Sequence, residues 1–154
     1  MKRNRGQVLV IFAVLVPVLL AFFFFALSLA ALLDVRAHAT YALAVATRAG
    51  SRHVVYADYG QERVRFADGV DTRVHDVFEE ALSLSTAGLG DTPENIAAAI
   101  HVTIGYGTPQ RPWSSPFVTG RVHTHPTVAA QVWIPVRVWG FDVRVPIVSE
   151  TEVR

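Results

Sequence analysis

The chain has 154 residues, 51% of them hydrophobic, a formal net charge of +1 and no cysteine. The length suits one domain, the near-neutral charge and scattered arginines exclude a nucleic-acid-binding tract, and the lack of cysteine excludes a disulfide framework. The apolar excess is concentrated: from Val8 to Leu33 no residue is charged, and Ser28 alone has a polar side chain.

A helix over that run of about 26 residues measures about 39 Å, enough to cross a ~30 Å hydrocarbon core with some tilt. A cleaved secretory signal has an apolar region of only ~7–15 residues followed by a small-residue cleavage site. Here Asp34-Val35-Arg36 follows with no turn signal, so the run reads as a retained anchor. Lys2, Arg3 and Arg5 precede it without an acid, leaving 11 basic and 13 acidic residues beyond. The positive-inside rule then places the N-terminus in the cytoplasm and the C-terminal domain outside. Pro17 inside the span removes one backbone donor and predicts a bend.

The helix is expected to continue past the membrane. Asp34 to Arg52 is rich in Ala and free of Pro, with Val35, Ala39, Ala42, Val45, Ala46 and Ala49 recurring three and four apart as a narrow apolar stripe. One helix from about Gly6 to about His53 follows, with Gly50 marking a fraying end. The expected organisation is a basic segment 1–7, a span 8–33, a helical extension 34–55 and an outer domain 56–154.

Tyr56 to Asp68 reads as polar and irregular. A second helix runs from Asp71 to about Ser85, its face made by Val74, Val77, Phe78, Ala81 and Leu82, with Asp71 or Thr72 as the capping side chain. Asp91-Thr92-Pro93-Glu94 opens a third, short helix with a capping residue and a first-turn Pro. The period then changes to two. His101–Tyr106 alternates, Arg121–His125 does so weakly, and Val128–Val138 and Phe141–Ile147 alternate around a turn at Trp139-Gly140. This predicts an antiparallel meander with one packed and one wet face, Pro135 and Pro146 belonging at edges or bulges. The fold class is α+β: a long N-terminal helix covering one face of a small antiparallel sheet.

Few residues suggest chemistry. His123 and His125, two apart on a strand, would face one side and could share a metal. The His-x-His-Pro string is similar to a segment of the JAMM metallopeptidases, but the Ser and Asp that complete that site are missing. Surface strand residues are the plainer reading. His38, His53, His75 and His101 are scattered singly, and no nucleophile elbow or phosphate-binding glycine loop is present. The expectation is a protein that is not an enzyme, with no cofactor, metal, small-molecule substrate or nucleic-acid partner. Trp113, Trp133 and Trp139 are candidates for a protein interface, because large aromatics anchor contacts; ordinary packing is the alternative.

The N-terminus carries a resemblance. Arg5-Gly6-Gln7 leads into an apolar run with a Pro about ten residues on, Asp34 and Arg36 follow the membrane exit, and Arg48-Ala49-Gly50-Ser51-Arg52 lies further along the helix. In that order the segments resemble TadE-like and TadG-like proteins, the pseudopilin-type components of tight-adherence (Flp-type, type IVc) pili. The likeness covers roughly the first 55 residues and, more weakly, Val128 to Arg154. It implies a pilin-like fold, a bacterial inner-membrane location, partnership with membrane lipid and other pilus-assembly proteins, and a processing site between Gly6 and Gln7. The family's Glu, five residues after that Gly, is replaced by Ile11. The implied pairing of a buried carboxylate with a neighbour's N-terminal amine is lost with it, which leaves open both cleavage and an uncleaved accessory role nearer the TadG type. The function expected is a membrane-anchored scaffold of pilus or secretion machinery. The alternatives are an anchored binding or sensor domain, or an anchored metal-dependent enzyme using His123 and His125.

Overall fold

The computed structural model describes residues 4–58, 63–138 and 141–153. A single helix, α1 (Asn4–Ser51), runs 48 residues through Pro17 and is about 72 Å long. Two regimes share it. Between Leu9 and Leu33 the large apolar side chains, Leu32 apart, are 46–72% exposed. From Val35 onward one stripe is sealed: Val35, Ala39, Ala42, Leu43, Ala46, Thr47 and Gly50 are buried. The structure adds Leu43, Thr47 and Gly50 to the expected stripe, while Val45 and Ala49 lie at its half-buried margin.

Small residues on the stripe bring the backbone close to its neighbours. A Cβ on Gly50 would come within 2.7 Å of Val74 Cγ2, so this glycine is a packing position and not a frayed end. Helix α2 (Val70–Ser83) lies there, burying Val70, Val74, Phe78 and Leu82. Its cap differs from expectation. Gly69 occupies the N-cap in the left-handed region (φ 84°) with no side-chain bond, and Asp71 and Thr72 fall inside the first turn. Helix α3 (Pro93–Ala98) begins as expected, with Thr92 Oγ1 accepting from the Asn95 amide at 3.3 Å and Pro93 in the first turn.

The main sheet is antiparallel in the order β3–β6–β7, formed by β3 (His101–Tyr106), β6 (Pro126–Val138) and β7 (Phe141–Glu152). Alternation along β6 sends Val128, Ala130, Val132, Ile134 and Val136 into the core against α1 and α2. Full burial of each such branched side chain contributes about 1.5–3 kcal/mol. Thr47 on α1 joins the same face, its hydroxyl 2.9 Å from Ser149 Oγ and 3.0 Å from Thr151 Oγ1 on β7.

Two short ribbons flank this core. Strands β1 (Val54–Asp58) and β2 (Arg63–Phe66) pair antiparallel where an irregular segment was expected. The alternation in Arg63-Val64-Arg65-Phe66 is real, but it is short and charged. Strands β4 (Trp113–Ser114) and β5 (Val122–His123) pair across the proline-rich loop, so the sheet is not a simple meander. Pro146 sits in the edge strand β7, as its missing donor requires. Pro135, however, lies in the central strand. Its carbonyl accepts from the Gly90 amide at 2.7 Å at a place where β3 has ended and only a bridge at Leu89–Val136 remains. The Gly90 carbonyl, which a donor at position 135 would have met, is approached by the Arg137 guanidinium at 3.4 Å. The expected turn at Trp139-Gly140, together with Lys2 and Arg3, lies outside the described residues.

Candidate functional site

Two features stand out from the fold: the uncovered apolar half of α1, and a charged cluster on the far face of the sheet. The first follows from composition alone. Residues Leu9–Leu33 form a helix that satisfies its own backbone apart from the donor missing at Pro17, and its one polar side chain is satisfied as well, since Ser28 Oγ donates to the Phe24 carbonyl at 2.8 Å. Such a surface has no reason to stay in water. By length and composition the helix is able to cross a membrane.

The second feature is built from register. Ala129 pairs with Glu150 and Thr127 with Glu152, so both acids stand on the sheet face opposite α1. The β4–β5 ribbon folds over that face. Trp113 lies on Gly105, where a Cβ would come within 2.1 Å of the indole, and its ring centroid is 5.8 Å from that of His123. His123, only 6% exposed, reaches between the acids: Nδ1 is 2.8 Å from Glu152 Oε1 and Nε2 is 2.9 Å from Glu150 Oε2. Arg121 Nη1 approaches Glu150 Oε2 at 3.2 Å. Ser115 Oγ donates to the other Glu150 oxygen and accepts from the amides of Phe117 and Val118.

An imidazole with a carboxylate at each nitrogen can donate to both only as the imidazolium. Burial pulls the His123 pKa down, but the bonds to Glu152 and Glu150 and their negative charge outweigh it, and the net shift is upward from 6.5. With His123 protonated, Arg121 and the imidazolium face the two acids together. The cluster ties the ribbon to β7 and specifies where it sits, the role for which buried ion pairs are best suited.

This geometry separates the two histidines. His123 is buried with both nitrogens engaged, whereas His125 is exposed, with Nδ1 3.8 Å from Glu152 Oε2. They do not form a shared ligand pair, and among the described residues no group of three or more His, Cys, Asp or Glu side chains could hold a metal ion. Nor is His123 the surface residue that its strand position suggested. A signal was present in the i, i+2 spacing of Arg121 with His123 and of Glu150 with Glu152, two matching pairs, the second on one face of β7.

The candidate contact residues lie apart. Trp113 is half-buried in the ribbon, Trp133 is 50% exposed on the open part of the far face, and Trp139 lies outside the described residues. Gly6 and Gln7 lie in the first turns of α1. Comparison with protein-family models, curated proteins and solved structures gave no match.

Proposed function

We propose that this chain is a single-pass, membrane-anchored scaffold subunit of the TadE-like or TadG-like kind, serving tight-adherence pilus or secretion machinery without a reaction of its own. The observation that carries this reading is the continuity of α1. One helix passes from an uncovered apolar segment directly into the core of an α+β domain, the arrangement a pilin-like subunit uses to hold an outer domain to the membrane. The order of Arg5-Gly6-Gln7, Asp34, Arg36 and the Arg48–Arg52 segment supports the family. The N-terminal charge bias supports an inner-membrane orientation with the domain outside. The partners would be lipid and neighbouring pilus-assembly proteins packed against the span.

A photo-crosslinker placed at Leu19 or Phe22 in growing cells tests the reading. Crosslinks to other single-span pilus-assembly proteins, from genes near a secretion ATPase and its inner-membrane platform, are expected. Crosslinks to lipid alone, in a genome lacking such neighbours, would remove the pilus assignment while leaving the anchor. Intact mass of the extracted protein separately decides whether Met1–Gly6 is lost despite Ile11.

A further inference from the structure

The apolar run is longer than a bilayer needs. A span beginning at Val8 has used the ~20 residues of a typical crossing by Leu27, so Ser28 to Leu33 emerge at the outer boundary between acyl chains and headgroups. The sheet reaches back to this level. Ser149 on β7 is fastened to Thr47. From there β7 returns eight residues to Phe141, about 26 Å, while about 17 residues of helix cover the same distance back along α1. The two paths meet as this arithmetic requires: Val138, paired with Phe141, closes a groove of about 180 Å³ against Phe25, Ser28, Leu29 and Leu32.

The end of the β6–β7 hairpin is amphipathic in a definite direction. Val138, Phe141 and Val143 share the sheet face that α1 occupies, since Val138 pairs with Phe141 and the buried Val136 with Val143. Yet Phe141 is 75% exposed and Val143 is 42% exposed. They extend the apolar surface of the helix sideways at the height of the membrane exit. The opposite face carries Arg137, Asp142 and Arg144, all exposed, with Arg137 Nε 3.3 Å from Asp142 Oδ1.

We propose that the β6–β7 hairpin end, through Phe141 and Val143, is seated in the outer headgroup–acyl boundary of the bilayer that α1 crosses, as a second and shallow membrane contact. Its occupant is lipid, because the patch is continuous with the helix surface already facing lipid and its charged face points away from it. The depth is limited by the backbone. Strand β7 is a sheet edge, and its outward amides and carbonyls need water or headgroups, which the hydrocarbon interior lacks. The inference rests on α1 spanning the membrane, and its test separates the two.

The chain has no cysteine, so single substitutions Leu19→Cys, Phe141→Cys, Val143→Cys and Thr124→Cys each place one fluorophore on the full-length protein in phosphatidylcholine nanodiscs. Lipids bearing a nitroxide high or low on the acyl chain, and aqueous iodide, serve as quenchers. The expected result is strongest quenching of Leu19→Cys by the deep nitroxide. Phe141→Cys and Val143→Cys should be quenched by the shallow nitroxide several-fold more than Thr124→Cys at the far end of the sheet. If Leu19→Cys behaves as expected while Phe141→Cys matches Thr124→Cys, the hairpin stands clear of the membrane and the proposal is overturned with the span intact. Shielding of Phe141→Cys from both iodide and nitroxides would mean a protein cover and overturn it equally. Failure of Leu19→Cys to meet any lipid quencher would remove the span itself.

Discussion

The two halves of α1 obey the same helical geometry and solve opposite problems. The stretch from Leu9 to Leu33 is apolar in every direction and largely uncovered, so its residues are constrained by hydropathy but not by shape. The half after Asp34 is polar except for one stripe, where small residues and Thr47 fit a sheet and a second helix. A helix apolar all round is made for a medium, whereas a striped helix is made for a particular neighbour.

Charge breaks the comparison most sharply. Ala42→Arg puts an unpaired cation into the sealed stripe. It should cost more than about 4 kcal/mol, unfolding the C-terminal domain by circular dichroism or protease sensitivity while membrane insertion persists. Leu19→Arg should do the reverse at about 3 kcal/mol, lowering insertion with the domain fold unaffected, as a carbonate-extraction assay would show. Shape comes next. Gly50→Ala drives a methyl group into Val74 and should destabilise by about 1–2 kcal/mol after its helix-propensity gain, whereas Ala21→Gly in the uncovered half should leave the domain's melting temperature unchanged. Thr47→Val removes the hydroxyl shared with Ser149 and Thr151 and should cost about 1 kcal/mol in a denaturant titration.

Acidity leaves Val8–Leu33 untouched, since nothing there titrates, and reaches instead the domain into which the second half of α1 packs. His123 holds its proton more tightly folded than unfolded. Its contribution is therefore complete below the unfolded value of 6.5 and fades as pH rises through the higher folded value. His123→Gln should flatten that decline in melting temperature between neutral and mildly alkaline pH. A slope that persists in the variant would assign the effect to another group.

Periodicity made much of the fold readable. The helical stripe from Val35, the cap at Thr92 and the alternation along β3 and β6 are local patterns, and each became the element it suggested. What escaped depended on partners distant in sequence. The β1–β2 ribbon and strand β4 are too short to carry a period, and the cap of α2 moved to Gly69 because the helix starts a residue before the side chains that could have capped it. His123 read as a surface residue because Glu150 and Glu152 lie 27 and 29 positions away. Only the sheet register, which places both acids beneath the ribbon, turns that histidine inward. The central position of Pro135 was hidden for a related reason: its missing donor falls where β3 has already ended.

Under the proposed membrane span, the unbroken course of α1 gears bilayer and domain together mechanically. From the bilayer midplane near Val18 to Ser51 the helix forms an arm of about 50 Å. A change of 10° in tilt, well within the range that spanning helices adopt, would sweep the far end through about 9 Å. A neighbour that leans on the helix could thereby aim the domain's surface without ever touching it.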